Sequence, residues 1–171
     1  MNYAQIRSMD ISNGEGIGVA LFVSGCPFHC EGCFNSEAWD YEYGHEFTPD
    51  TMEMLGRLSE KPYVQRISIL GGEPLADKNI DTVGRIILTL KIAMPDKKIW
   101  LYSGFRYEDL NMYQRRIVSE VDVFVDGPFV ESEKDLRLKF RGSRNQRVID
   151  IKEMRDNLYF DEVIIRKGYE N

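Results

Sequence analysis

Short apolar runs of strand length alternate along this chain with longer stretches whose apolar residues recur at helical spacing. The first run, Val19-Ala20-Leu21-Phe22-Val23, stops at Ser24-Gly25. A helix is predicted from Thr48-Pro49-Asp50, with Thr48 as cap and Pro49 in the first turn, continuing through Met52, Leu55 and Leu58. Arg66 to Leu70 reads as a short buried strand that ends at Gly71-Gly72-Glu73-Pro74. From Ile80 to Met94, the residues Val83, Ile86, Ile87, Leu90 and Met94 share one helical face. Lys98 to Tyr102 is a strand stopping at Ser103-Gly104, residues 107–119 look helical, and Val121 to Val125 is a strand ending at Asp126-Gly127. The pattern after residue 130 is less regular.

Strand, loop and helix in repetition predict an α/β protein with a parallel sheet. One such unit takes roughly 30 residues. The 171 residues therefore hold about five parallel strands in a single domain. A closed eight-unit barrel needs on the order of 250 residues, so the expectation is an open, partial βα barrel or curved sheet. Ligands bind at the carboxyl ends of parallel strands. The loops after Val23, Leu70, Tyr102 and Val125 should then converge on one rim.

Net charge is −6, which argues against electrostatic binding to nucleic acid or to an anionic membrane. No apolar run has membrane-spanning length, and the start Met1-Asn2-Tyr3-Ala4-Gln5-Ile6-Arg7 lacks the apolar core of a signal peptide. A cytoplasmic protein is expected. In a reducing compartment, clustered cysteines read as metal ligands or reactive thiols rather than disulfides.

The three cysteines of the chain, Cys26, Cys30 and Cys33, lie in one C-x3-C-x2-C loop directly after the first predicted strand. Thiolates suit iron–sulfur clusters and zinc alike. Three of them leave one iron of a four-iron cluster without a protein ligand, which disfavours a simple ferredoxin. The zinc alternative is a structural site completed by a histidine; His29 sits in too tight a loop between the cysteines, whereas His45 is better spaced. Such a site would make the chain a zinc-stabilised binding module. Gly25 and Gly32 relieve crowding where backbone must wrap closely, and Phe28 and Phe34 are placed to shield the metal from water.

The cysteine loop followed by Gly71-Gly72-Glu73-Pro74 resembles the signature of the radical S-adenosylmethionine (SAM) enzymes. Their common pattern has an aromatic residue just before the third cysteine; here that position is Gly32, and Phe34-Asn35 follows instead. That variant is similar to the glycyl-radical-enzyme activases. Asp10 to Gly14, Leu21 to Cys26, Cys30 to Asn35, Gly71 to Leu75, Val125 to Gly127 and Arg141 to Gln146 look most like the branch acting on anaerobic ribonucleotide reductase. The likeness covers about residues 3–147 and leaves residues 151–171 without a motif.

The resemblance implies a radical SAM partial barrel holding a 4Fe–4S cluster on Cys26, Cys30 and Cys33, with SAM at the open iron. It implies reductive cleavage of SAM to a 5′-deoxyadenosyl radical, which takes a hydrogen atom from a glycine of the large reductase subunit. A flavodoxin-type electron donor is the second implied partner. The same chemistry on another glycyl-radical enzyme, such as pyruvate formate-lyase, or on a small molecule, is the near alternative. Gly71, Gly72, Glu73 and Pro74 would cradle the methionine end of SAM, with Glu73 and strand-end carbonyls accepting from its ammonium. Backbone at Gly32, Cys33 and Phe34 would contact the adenine. Ser103 and Asp126 are candidates for polar contacts to ribose or carboxylate, and equally for turn and cap residues. Asn13-Gly14-Glu15-Gly16 is a turn that could shape the mouth. Arg141, Arg144 and Arg147 are either a solvated basic loop or a contact surface for the reductase.

Overall fold

The computed structural model describes residues 1–157 and 162–170, so part of the motif-free tail lies outside the described residues. The strands are β1 (Asn2–Asp10), β2 (Gly18–Val23), β3 (His45–Glu46), β4 (Arg66–Gly71), β5 (Lys98–Tyr102), β6 (Val123–Asp126) and β7 (Arg147–Asp150). The α-helices are α1 (Pro49–Ser59), α2 (Ile80–Ala93), α3 (Met112–Val118) and α4 (Ile151–Asp156). Among the described residues the strands form one sheet in the order β3-β1-β2-β4-β5-β6-β7.

The pairs β2–β4, β4–β5 and β5–β6 are parallel, and β1–β2, β1–β3 and β6–β7 are antiparallel. The expectation of about five parallel strands is thereby corrected. Four strands are parallel, and antiparallel strands flank them on both sides. β1 escaped the sequence pattern because its residues before Asp10 are exposed or half-buried with no apolar alternation, and its outer side is covered only at Asn2 and Tyr3, by the two-residue β3. β7 is only four residues long.

The helix starts follow local chemistry. Thr48 caps α1, its Oγ1 accepting from the Thr51 amide at 3.3 Å, with Pro49 in the first turn. The stretch expected to be helical over 107–119 is split. A 3₁₀ turn covers Tyr107–Asp109, and α3 begins anew after Asn111, whose side chain accepts from the Gln114 amide at 2.9 Å. This fresh cap ends one element and starts the next.

Strand alternation gives the sheet two faces. Val19, Leu21, Val23, Ile67, Ile69, Ile99, Leu101 and Phe124 pack with Leu55, Ile87, Leu90, Ile117 and Met154 from the four helices. The opposite face carries Ala20, Phe22 and Leu70 in one cluster and Trp100, Val123, Val125 and Val148 in another. Arg66 and Ser68 are also buried. The Arg66 guanidinium donates to Asp10 Oδ1 at 2.7 Å and to Ser68 Oγ at 2.7 Å. No helix among the described residues is long and apolar enough to cross a membrane.

Candidate active site

The loop after β2 is closed at its base. Gly25 N donates to Ala38 O at 2.8 Å and Cys26 N to Trp39 O at 3.1 Å. Gly25 needs its missing side chain: its φ is +92°, and a Cβ there would fall 2.0 Å from the Tyr41 ring. Within the loop Cys33 N donates to Cys30 O at 3.2 Å, and Asn35 N points at Cys33 Sγ at 3.4 Å.

All three thiols are free, half-buried, and line one cavity of about 520 Å³. Burial pushes the Cys26 thiol up to about 11 and raises Cys30 as well. At Cys26 and Cys30 burial therefore disfavours the thiolate, and a bound cation would supply the charge that stabilises it. Phe28 packs edge-on to Phe105 at 4.9 Å and closes one side.

Three half-buried cysteines on one cavity are a donor set that fits a cluster with one iron left open. Among the described residues no three His, Cys, Asp or Glu side chains converge on a single-ion position. The cysteines of a cubane bind separate irons and stand further apart than the ligands of one ion. Neither histidine lines the cavity. His29 stacks on Trp39 at 4.7 Å, and His45 lies in β3 beside the Tyr3 ring at 5.9 Å.

The Gly71-Gly72 segment is stitched to the cysteine loop. Gly72 N donates to Val23 O and Glu73 N to Gly25 O, both at 2.8 Å. A Cβ on Gly72 would lie 2.5 Å from Gly25 O, so the two loops touch backbone to backbone. Buried Asn79 spans the junction, its Nδ2 donating to Ser24 O at 2.9 Å and Glu73 O at 3.0 Å.

Glu73 is 1% exposed, and its carboxylate is largely occupied by the protein. Oε1 accepts from Leu75 N and Ser103 Oγ, each at 2.8 Å, and Oε2 accepts from Gly104 N at 2.7 Å. Burial pushes this carboxyl up to about 7 against those three donors. Glu73 thus ties the loop after β4 to the loop after β5. A carboxylate offers about four acceptor positions, which leaves one for a ligand.

The structure brings Cys26, Cys30, Cys33, Phe34, Gly71, Gly72, Glu73 and Ser103 to the cavity. Phe34 is 72% exposed, 6.2 Å from Phe129 and beneath Lys134 Nζ at 5.2 Å. Gly32 and Pro74 are adjacent but do not line it, and Asp126 does not reach it. Asp126 is fully buried, accepting from Tyr107 N at 2.8 Å and from the Arg147 guanidinium. Of the three arginines, Arg141 lines the cavity; Arg144 pairs with Asp135, and Arg147 with Asp126 and Glu108.

Sequence reasoning missed Tyr102 and Leu70 on the cavity floor, and Phe140 and Gln146 on its far wall. The floor residues had a signal: Leu70 and Tyr102 occupy the ends of β4 and β5, on the face away from the helices. On the far wall Gln146 lies in the family-like Arg141–Gln146 segment, whereas Phe140 had no signal, because it packs against the distant Trp100 and Tyr169.

The family described as a 4Fe-4S single cluster domain matches residues 12–149. An anaerobic ribonucleoside-triphosphate reductase-activating protein of Enterobacteria phage T4 is 39% identical over 150 residues, 86% of this chain and 93% of that protein. Proteins of the same name from Vibrio cholerae and Escherichia coli K12 are 36% and 37% identical over 148 residues, covering 85% of this chain and 96% of theirs. With a family match over most of its length and relatives this similar, the chain belongs to the family of anaerobic ribonucleoside-triphosphate reductase-activating proteins.

Proposed function

We propose that the chain activates an anaerobic ribonucleoside-triphosphate reductase, with a 4Fe–4S cluster on Cys26, Cys30 and Cys33 and SAM bound beside it. The observation that carries this reading is the shared cavity. Three half-buried thiols and the Gly71-Gly72 strand end line the same space, in a chain with no fourth cysteine. The four parallel strands are then the wall of a radical SAM partial barrel within one domain.

Held on Cys26, Cys30 and Cys33 with SAM beside it, the cluster would supply the reductive cleavage of SAM that ends in loss of a hydrogen atom from a glycine Cα of the reductase. The electron comes from a one-electron donor of the flavodoxin type. The chain's own residues bind, orient and exclude water. Gly71 and Gly72 let strand-end backbone approach the methionine end, and Pro74 fixes the chain after Glu73. Glu73 offers its remaining acceptor position to the ammonium while holding Ser103 and the Gly104 amide in place. Backbone at Gly32 and Cys33, with the Phe34 ring, flanks the adenine. Asp126 acts at one remove. Through Tyr107 N and Arg147 it fixes the strand end from which Gly127 and Phe129 reach the cavity.

Electron paramagnetic resonance of anaerobically reconstituted, dithionite-reduced protein tests this reading, with and without SAM. A 4Fe–4S signal that changes on adding SAM, followed by glycyl-radical formation on the reductase but not on pyruvate formate-lyase, is the expected result. Tightly bound zinc in place of a cluster, or a cluster indifferent to SAM, overturns it.

A further inference from the structure

The family match ends at residue 149, and the relatives align with 148–150 of the 171 residues. The segment 163–170 lies beyond that match, yet it packs on the sheet and on both loops of the cavity's far side. Arg166 N donates to Val148 O at 2.8 Å and Asp150 N to Ile164 O at 2.9 Å, so the segment docks along β7. From there it makes two tethers.

The first tether holds the loop after β1, whose Ser12 and Asn13 line the cavity. Arg166 grips the Glu15 carboxylate with two donors, Nε to Oε1 at 3.1 Å and Nη2 to Oε2 at 2.8 Å. Tyr169 OH adds a third at 3.1 Å. A bidentate guanidinium–carboxylate pair fixes orientation as well as distance.

The second tether holds the loop that carries Phe140 and Arg141. Arg141 Nη1 donates to Tyr169 O at 2.7 Å, and the buried Tyr169 ring lies 5.9 Å from Phe140. Phe140 in turn packs edge-on against Trp100 at 5.6 Å and lines the cavity. Its φ is +60°, a conformation that a bulky residue keeps only when its surroundings over-determine it. Tyr169 and Trp100 supply those surroundings from two sides.

We propose that Arg166 and Tyr169 are positioning residues, which hold the two far loops of the cavity in the shape that admits the glycine-bearing segment of the reductase. This rests on the reading of the cavity as the SAM and substrate site. Neither residue lines the cavity, so neither touches the reacting groups.

Hydrogen exchange on the cofactor-free chain tests the bracing directly, comparing the unaltered protein with Tyr169→Ala, Tyr169→Phe and Glu15→Gln. Tyr169→Ala is expected to speed exchange about tenfold or more across residues 11–17 and 136–146, with the cysteine loop unchanged. Tyr169→Phe keeps the ring and should restore protection over 136–146. Glu15→Gln breaks only the first tether and should affect 11–17 alone. In reconstituted protein, Tyr169→Ala should leave the SAM-induced resonance change intact. It should also raise KM for the reductase about fivefold or more, with kcat within about twofold. Unchanged exchange in both loops, or loosened loops with an unchanged KM, overturns the proposal. So does faster exchange that extends through the cysteine loop in both Tyr169→Ala and Glu15→Gln, since that marks a general stabilising role. Failure of the unaltered protein to respond to SAM sinks the functional reading instead and leaves the exchange result standing.

Discussion

Asn79 and Ser24 are 55 positions apart in sequence and joined by a 2.9 Å hydrogen bond from Asn79 Nδ2 to the Ser24 carbonyl. The same amide nitrogen reaches Gly25 O at 3.3 Å and Glu73 O at 3.0 Å. One buried side chain thus locks the start of the cysteine loop to the Gly-Gly-Glu-Pro loop. Asn79 stands at the N-cap of α2 but makes no side-chain cap bond there. The capping position is given over to joining the two loops.

Asn79→Ala should destabilise the cofactor-free protein by about 1–3 kcal/mol, the cost of leaving buried carbonyls without donors. Asn79→Asp should cost more, because it turns a carboxylate towards the same three carbonyls. Urea unfolding of the two variants checks the order. Iron and sulfide counted after reconstitution should fall in the same order, since the base of the cysteine loop loosens with each change.

Gly72→Ala should perturb the site through backbone rather than side chain. Its Cβ would meet Gly25 O at 2.5 Å and Ala38 O at 2.9 Å, and neither can swing away as a side chain would. Overpacking of this kind costs about 1–3 kcal/mol, and the two loops must part to relieve it. Gly56→Ala in α1 is the control, with nothing within 4 Å of the new methyl. It should gain about 0.5–1 kcal/mol from helix propensity. Thermal unfolding of both, with the SAM-induced resonance change, separates loop displacement from a plain stability effect.

Arg147 and Arg144 look alike in sequence and differ in the fold. Arg147 pairs with Asp126, whose side chain is 1% exposed, and it also holds the exposed Glu108 carboxyl down to about 2. Arg147→Met leaves Asp126 buried with only the Tyr107 amide and should cost about 3–5 kcal/mol. Arg144 is 62% exposed and shares Asp135 with Arg137. Arg144→Ala should therefore cost no more than about 1 kcal/mol. Parallel urea titrations decide it. Equal losses would mean that burial of Asp126 is not the source of the difference.

The central strands were legible because each is a short apolar run closed by glycine. Val19–Val23 and Lys98–Tyr102 fall where the pattern puts them, and Thr48-Pro49 marks the start of α1. The gathering of the cysteine loop, Gly71-Gly72 and Ser103 was legible for a topological reason: parallel strands bring their carboxyl ends to one side. What escaped depends on partners distant in sequence. Glu73 and Ser103 were both placed at the site, but nothing in either segment says that they bond to each other across 30 residues. Asp126 stands at a strand end like the others, yet Arg147 on the neighbouring antiparallel strand claims its carboxylate. β1 was invisible because a strand left largely uncovered on its outer side needs no apolar alternation, and its register comes from β2.

Acid should weaken the fold through Asp10 in a way that Asp10→Asn removes. The Asp10 and Arg66 side chains are 2% and 0% exposed and meet at 2.7 Å. Burial alone would push the Asp10 carboxyl up, but the Arg66 guanidinium and the Asn13 donors outweigh it and hold it below its usual value of 3.8. A carboxyl whose folded value lies below its unfolded one binds protons more weakly in the native state. Its stabilising contribution is therefore complete above the unfolded value and is lost as pH falls through the folded one. Asp10→Asn leaves Arg66 buried beside a neutral group and should cost about 3–5 kcal/mol at neutral pH. The gap between the unaltered protein and the variant should hold constant down to about pH 4 and narrow below it. Urea midpoints at pH 7, 5, 4 and 3 measure that gap, and a gap that stays constant down to pH 3 would falsify the ion pair as its cause. Asp10 also accepts from the Asn13 side chain at 2.7 Å, and Asn13 lines the cavity. The same protonation should therefore loosen the cavity mouth before the sheet itself unfolds.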